Sequence, residues 1–405
     1  MSAAQTFDDP ELLARLADLA IRFGSNVQPG QIVAIGAEPG QEPIARAVAE
    51  SAYRAGAKYV EVAYFDPYVK RARIKHAAEE TLDFVPPWLG ERVLELGRQH
   101  AARIGLSGLV NPGLFDDLDP ARVGKDSLPR VREAGQVVND RTTNWTIIPG
   151  ATRAWAQHIF GGLEPQAAWE RLCAELIHVL RLDEPDPVAA WMARGDALLR
   201  AAAAMNERRF EALRFVSEGT DLTVGLLPSS NWEAAKFETV DGVVHRPNLP
   251  SEEIFSAPDP ERVDGVVRST KPLEVGGAEI LGLEVEFRGG RAVRIDAEQG
   301  ADVLRAQVAK DDGAARLGEV ALVDGDGRIG PLGTVFYDTL LDENAASHIA
   351  LGMAYAICVG EEDSGRINKS EIHIDFMIGA PDQVVYGVED GGAEVPVLAE
   401  GRWQI

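Results

Sequence analysis

The sequence is poor in cysteine, and the two that it contains, Cys173 and Cys358, lie far apart within apolar stretches. Two such distant residues can form neither a disulfide framework nor a cluster of thiolate metal ligands. We therefore expect both to be small buried hydrophobic side chains. The low cysteine content fits a reducing compartment, and we predict a cytoplasmic location.

Positive charge is also scarce, because 40 lysines and arginines stand against 64 aspartates and glutamates and leave a formal net charge of −24. Such a chain should repel phosphate backbones, so no nucleic-acid partner is expected. Apolar runs long enough to cross a bilayer are absent from the sequence, so no membrane partner is expected. Solubility alone explains the acidity, which would also favour a substrate with a free ammonium group.

The 405 residues are too many for one modest core, so two domains are expected. In the first half, the strand-like runs QIVAIG (31–36) and YVEVAYFD (59–66) flank a helical pattern, which predicts parallel strands with a right-handed crossover. The second half is richer in strand-like runs and includes a hairpin that turns at 288–290. We predict an α/β protein with an N-terminal parallel-sheet α/β domain and helical extension (1–215) and a C-terminal α+β metal-binding domain (216–405).

One histidine stands out from the others because it shares a predicted strand with an acid. In SEIHIDFMIGA (370–380), residues two positions apart point to the same face, so His373 and Asp375 project together. The pattern is compatible with a surface pair, a hydrogen-bonded couple or two metal ligands.

The stretch DENAASHIALGMAY (342–355) predicts a helix with an acidic first turn. Capping explains Glu343. His348 and Tyr355 are seven positions apart and would share one helix face. Polar side chains buried on such a face need partners, which either a metal ion with carboxylates or a network of backbone carbonyls would supply.

Two further glutamates stand beside apolar residues. Glu319 lies where a strand is predicted to begin in RLGEVALV, and Glu253 lies in a predicted loop, PNLPSEEIFSAP, between two prolines. A buried carboxylate is costly unless it is paired or bound to metal. The alternatives are a strand-edge residue for Glu319 and a solvated loop acid for Glu253.

Taken together, these segments resemble the aminopeptidase T and aminopeptidase S family of dinuclear metallo-aminopeptidases. The resemblance covers nearly the whole chain and is carried by NVQPGQ, AYRAGAKYVEV, FVPPW, PNLPSEEIFSAP, RLGEVALV, FYDTLLDENAASHIALGMAY and NKSEIHIDFMIG. It implies that the metal ligands are Glu253, Glu319, His348, His373 and Asp375. The glycine-rich VDGDGRIGPLGTV and the short stretch 358–367 depart from the family pattern, which affects the expected pocket shape rather than the metal site.

The resemblance also implies an activity, which is hydrolysis of the N-terminal residue of short peptides with a free N-terminus. Two divalent ions would share and activate a water, and carboxylate and imidazole ligands suit Zn²⁺, Co²⁺ or Mn²⁺. We expect Glu343 to move the proton and Tyr355 to bind metal or donate to the oxyanion. Family members are homodimers, so a homodimer is expected.

Two other functions remain open from the sequence. A ring-opening dioxygenase of dihydroxypyridines resembles the same fold and would hold one Fe(II) with His348, His373 and Asp375, leaving Glu253 and Glu319 as surplus groups or as acid and base. A protein that only binds peptides through a degenerate site is the third possibility.

Overall fold

The computed structural model describes residues 5–126, 128–129, 131–275 and 278–405. The first half contains a parallel sheet, as predicted. Its strands are β1 (Ile32–Ala37), β2 (Tyr59–Tyr64), β3 (Ala102–Ser107) and β4 (Trp145–Pro149). They lie side by side in the order β2-β1-β3-β4.

Helices surround this sheet, and several begin with proline after an aspartate cap. Pro fits the first turn because its missing N–H has no intrahelical partner there, and Asp9, Asp66, Asp119 and Asp186 accept hydrogen bonds from the first-turn N–H groups. The helices are α1 (Pro10–Asp18, continued by a π-helical turn Leu19–Gly24), α2 (Glu42–Arg54), α3 (Pro67–His76), α4 (Pro87–Arg98), α5 (Pro120–Lys125), α6 (Arg132–Asn139), α7 (Arg153–Ile159), α8 (Pro165–Val179) and α9 (Pro187–Arg208).

The second half is dominated by antiparallel strands. In chain order its elements are β5 (Ala212–Ser217), β6 (Thr220–Leu226), β7 (Glu233–Ala234), β8 (Phe237–Glu238), β9 (Val244–His245), β10 (Glu253–Ser256), β11 (Pro258–Arg268), β12 (Leu273–Val275), β13 (Ala278–Ile280), β14 (Glu284–Arg288), β15 (Arg291–Asp296), α10 (Ala301–Val308), β16 (Leu317–Val323), α11 (Thr339–Glu343), β17 (His348–Gly352), β18 (His373–Met377), β19 (Val384–Val388), β20 (Glu394–Ala399) and β21 (Arg402–Trp403).

Two large sheets contain most of these strands. One has the order β15-β14-β11-β6-β5-β19-β20-β21 and the other the order β18-β17-β16-β10-β7, while β12 pairs with β13 and β8 with β9 in two-stranded sheets. Aromatic side chains such as Phe215, Phe287 and Phe376 pack in the core that the two sheets share. The mixed α/β fold class is therefore confirmed, and so is the hairpin at 288–290. The chain enters the larger sheet at Ala212, close to the predicted domain boundary at 215/216, which stays a prediction.

A separate core packs around the parallel sheet and joins the two halves. It contains Leu16 and Trp155 from the first half together with Phe336 and Leu341 from the second. The indole Nε1 of Trp155 also donates to the carbonyl of Phe336 at 2.6 Å. None of the helices in the described part of the chain is both long and apolar enough to cross a membrane.

The predicted helix over 342–355 is wrong. Helix α11 ends at Glu343, His348 begins strand β17, and Tyr355 lies beyond the end of that strand. Strand β17 is buried at every position and pairs on both sides, with β16 and β18. A fully buried strand shows no alternation of polar and apolar residues, so periodicity could not distinguish it from a buried helix.

The predicted loop around Glu253 is also wrong. Glu253 is the first residue of β10 and stands opposite Val323 of β16. A four-residue strand after two prolines is too short to give a periodic signal.

Candidate metal centre

Four neighbouring strands bring the predicted ligands to one face of the smaller sheet. The register places Glu253 opposite Val323, His348 opposite Ala321, and both Glu319 and Asp375 opposite Ala350. Small side chains at the intervening positions 321 and 350 leave room above the strands. The predicted ligands therefore converge on one face of the smaller sheet. They are Glu253, Glu319, His348, His373 and Asp375.

The opposite face of the same strands is apolar and fixes the sheet. Ile254, Val320, Ile349 and Phe376 point into the core between the two sheets. Since successive strand residues point to opposite faces, burial of this apolar set holds the polar set on the other side.

A β-bulge in β16 lies directly before Glu319. Leu317 pairs with Leu351 and Glu319 pairs with Ala350, so one extra residue, Gly318, is inserted in β16. A Cβ at this glycine would lie 2.3 Å from the carbonyl oxygen of Gly352. Because Glu319, Val320 and Ala321 pair with β17 in unbroken register, the extra residue places Leu317 on the apolar face while Glu319 lies on the ligand face.

The ligand atoms form two overlapping groups. Nε2 of His348 lies 2.9 Å from Oε2 of Glu253 and 3.6 Å from Oε1 of Glu319. On the other side, Nε2 of His373 lies 3.6 Å from Oε2 of Glu319 and 3.4 Å from Oδ1 of Asp375. Within each group the candidate ligand atoms lie within 4.8 Å of one another, and Glu319 belongs to both groups.

Backbone carbonyls orient both imidazoles. Nδ1 of His348 lies 3.1 Å from the oxygen of Ala346, and Nδ1 of His373 lies 2.7 Å from the oxygen of Met353. Because a carbonyl oxygen only accepts, each Nδ1 carries the proton, and in the neutral ring the Nε2 lone pair faces the carboxylates. Two sets of lone pairs facing each other require a cation between them, which is either a proton or a metal ion.

The charge balance of the site also calls for a cation. Burial raises the pKa of Glu319, and the nearby charges of Glu253 and Asp375 raise it further. Burial alone would lower the pKa of His348, but the charge of Glu253 raises it well above its usual value. Three carboxylates stand against two imidazoles, and the buried Oε2 of Glu253 lies 2.9 Å from Nε2 of His348, where either a proton or a metal ion would join them. Such a cluster is stable when metal neutralises it, and its oxygen and nitrogen donors fit a divalent ion of the Zn²⁺, Co²⁺ or Mn²⁺ type.

The two predicted catalytic residues lie beside this cluster. Glu343, at the end of α11, is buried, and its Oε1 accepts hydrogen bonds from Asn248 at 3.2 Å and Asn344 at 3.4 Å. Burial, followed by the charges of Asp375 and Glu253, raises its pKa well above the usual range. The ring of Tyr355 lies 5.4 Å from that of His373.

A cavity of about 880 Å³ adjoins this cluster, and both halves of the chain line it. Every predicted ligand except His348 lines the cavity, as do Glu343 and Tyr355. The carboxyl ends of the parallel strands contribute Glu38 and Ser107, and the smaller sheet contributes Glu253, Glu319 and His373. Asn248 contacts Glu343 from a segment that runs beside β4, and it is not among the residues predicted from the sequence. Its place in PNLPSEEIF, five residues before a ligand, is the only sequence signal that could have identified it.

Comparison with known proteins supports the resemblance found in the sequence. The family profile of thermophilic metalloproteases (M29) matches residues 9–403. Aminopeptidase T of Thermus thermophilus is 42% identical over 402 residues, which cover 97% of this chain and 98% of that protein. Aminopeptidase AmpS of Bacillus subtilis is 35% identical, covering 96% of this chain and 97% of that protein.

A solved structure agrees with the architecture. Wild-type AmpT from Thermus thermophilus superposes with a TM-score of 0.86 at 41% identity, covering 98% of this chain and 99% of that chain. The chain therefore belongs to the aminopeptidase T and aminopeptidase S family of metallo-aminopeptidases, the thermophilic metalloproteases (M29).

Proposed function

We propose that this protein removes the N-terminal residue from short peptides with a free N-terminus, using two divalent ions held by Glu253, Glu319, His348, His373 and Asp375. The observation that carries the proposal is that Glu319 directs one oxygen toward each histidine and so belongs to both ligand groups. A carboxylate that belongs to both ligand groups fits a site that holds two divalent ions. Bound there, such ions would lower the pKa of a water and polarise the scissile carbonyl.

Glu343 is the residue that we assign to proton transfer. Asn248 and Asn344 both bind Oε1, so that oxygen positions the carboxyl while Oε2 is the atom proposed to take and give the proton. A raised pKa suits this role, because a general base works best when its pKa lies near the pH of the reaction. Capping, the other explanation of Glu343 from the sequence, does not account for its place at the end of α11.

Tyr355 is assigned to the oxyanion. Its ring packs against His373 and against Phe255, with centroids 5.4 Å and 6.0 Å apart, so the tyrosine is held from two sides at the edge of the metal centre. Burial raises the pKa of its hydroxyl well above the usual value, which keeps it protonated as a hydrogen-bond donor.

Recognition of a free N-terminus is assigned to the metal centre and its neighbours. The α-amino group of the peptide would bind one of the ions or an acid of the cavity that holds no metal, such as Glu343. This contact would confine cleavage to the first residue of the peptide. A cytoplasmic homodimer remains part of the proposal.

The dioxygenase reading is not favoured. One iron held by His348, His373 and Asp375 leaves Glu319 without a role, although it lies 3.6 Å from both imidazoles. A peptide-binding protein with a degenerate site is equally hard to reconcile with a complete ligand set.

The experiment is to measure bound metal and hydrolysis of leucyl anilides for the wild type, for Glu319→Ala and for Glu261→Ala. Glu261 is an exposed residue of β11 and serves as the matched control. We expect Glu319→Ala to lose both metal and turnover and the control to keep both. If Glu319→Ala keeps its metal and its rate, the proposed site is wrong.

A further inference from the structure

One arginine that lines the cavity, Arg103, has no counter-ion among the residues that the structure describes. Arg103 lies on β3 and lines the cavity, yet its guanidinium makes no hydrogen bond or ion pair with any residue in the described ranges. Burial, followed by the charge of Arg92, lowers its pKa. Arg92 is itself paired with Glu61 at 2.8 Å, so Arg103 is the uncompensated one of the two. An unpaired cation away from bulk water is costly, and a bound anion would offset that cost.

The sheet surface next to Arg103 is open. Residues in register on parallel strands point to the same face, and the row beyond Arg103 consists of the small residues Ala63, Gly36 and Gly105, followed by Ile147 on β4. A Cβ at Gly36 would meet only the carbonyl oxygen of Ile104, at 4.0 Å. These small residues form the floor of a cleft in which an extended chain fits close to the sheet.

The cleft leads to the metal centre. Trp145 stands beside Arg103 in the sheet, and its ring contacts Phe237 with centroids 6.2 Å apart. Phe237 contacts Tyr355 at 6.2 Å, and Tyr355 contacts His373 at 5.4 Å. A continuous series of aromatic contacts therefore connects the strand position beside Arg103 with His373 at the metal centre.

The spacing between neighbouring strands gives the distance from β3 to the segment that contacts Glu343. Ile147 of β4 bridges to Asn248, which binds Glu343, so two strand spacings separate β3 from the segment that contacts the catalytic glutamate. At about 4.8 Å per spacing this is about 10 Å. An extended peptide covers about 3.3–3.6 Å per residue, so about three residues span the gap.

We propose that Arg103 binds the C-terminal carboxylate of a dipeptide or tripeptide whose N-terminal residue lies at the metal centre. The guanidinium fork matches a carboxylate and would be paired only when such a peptide is bound. The inference rests on the proposed function and names its substrate class. Arg103 is a specificity residue in this scheme, because it contacts the far end of the peptide rather than the bond that is cleaved.

The test compares leucyl-glycyl-glycine with its C-terminal amide, which lacks the negative charge. For the wild type we expect kcat/KM to be about 10- to 100-fold higher for the free acid, the range for one charge-assisted hydrogen bond. Arg103→Gln should bring that ratio close to one, mainly through KM, and Arg103→Lys should keep part of it. Arg98→Gln is the matched control, because Arg98 is exposed on α4 and pairs with Glu95.

Three results would contradict the proposed roles. A wild-type enzyme that cleaves both peptides equally well overturns the role of Arg103 and needs no variant, so misfolding of Arg103→Gln cannot obscure the test. An Arg103→Gln variant that keeps the wild-type ratio overturns it as well. Cleavage of neither peptide, together with no turnover of leucyl anilides, overturns the proposed function itself.

Discussion

In several side chains of the candidate site, one polar atom is hydrogen-bonded to the protein and another faces the metal centre. His348 and His373 each give Nδ1 to a backbone carbonyl and keep Nε2 for the carboxylates. Glu343 divides its oxygens in the same way, with Oε1 held by two asparagines. Fixed side chains of this kind lose little entropy on binding metal or substrate, which is the physical basis of a preorganised site.

Glu343→Gln tests the catalytic assignment at this scale. Glutamine keeps the oxygen that accepts from Asn248 and Asn344 but cannot take a proton. We expect metal binding and folding to be retained while kcat falls by about 10²–10⁴-fold, the usual contribution of a general base. Steady-state kinetics with a metal assay check this, and an unchanged kcat would remove Glu343 from the mechanism.

The sequence predicts a set of site residues that the fold brings together, and their roles stay a prediction, while their local structure follows from the sequence only in part. His373 and Asp375 lie on one strand face, as the period-two patterning in SEIHIDFMIG predicts. The helix predicted over His348 is wrong because HIALG is buried at every position and so shows no strand alternation, and its strand state depends on pairing with two distant strands. The sequence gives no signal for Arg103, since its lack of a partner among the described residues is a property of the folded cavity.

At the scale of elements, the β-bulge in β16 allows apolar Leu317 and polar Glu319 to lie on opposite faces of the sheet. Nothing local in RLGEVALV distinguishes this bulge from a regular strand. The glycine at the bulge is required by the close approach of the Gly352 carbonyl from β17.

Gly318→Ala tests this element. Because a Cβ at 318 would lie 2.3 Å from the Gly352 oxygen, β16 and β17 must separate and move Glu319. We expect a loss of about 1–3 kcal/mol in the free energy of unfolding and a larger loss of metal affinity. Gly365→Ala is the control, since a Cβ there meets no atom within 4 Å, and it should be neutral in both measurements. Equal effects of the two changes on metal binding would contradict the role of the bulge.

At the scale of the whole molecule, buried acids connect the two halves around the cavity. Asp338, which precedes α11, accepts hydrogen bonds from Gly108 N at 2.7 Å and Ser107 Oγ at 3.2 Å, both at the end of β3. In the same part of the fold, Glu252 and Asp324 pair with Arg194 of α9, and Glu252 directly precedes the predicted metal ligand Glu253. The predicted α/β architecture was correct, but contacts between such distant segments cannot be predicted from local patterns.

Asp338 makes this connection sensitive to pH. Burial raises its pKa from 3.8 to about 7, so between these values the folded protein holds a proton that the unfolded chain releases. The free energy of unfolding contributed by this group therefore falls as pH rises through that window. We expect the free energy of unfolding to fall less between pH 5 and pH 8 for Asp338→Asn than for the wild type, because asparagine cannot ionise.

Urea unfolding at the two pH values checks this expectation. Asp312→Asn, a change at an exposed carboxyl, should retain the wild-type dependence on pH. A dependence in Asp338→Asn as steep as that of the wild type would show that this group does not titrate in the window.

The most direct test of the central claim is the number of Zn²⁺ ions bound per chain, measured by elemental analysis and titration calorimetry. If Glu319 bridges two sites, the wild type binds two ions, Glu253→Ala and Asp375→Ala each weaken one of them, and Glu319→Ala weakens both. A wild-type chain that binds a single ion, or a Glu319→Ala variant that still binds two with unchanged affinity, would contradict the account.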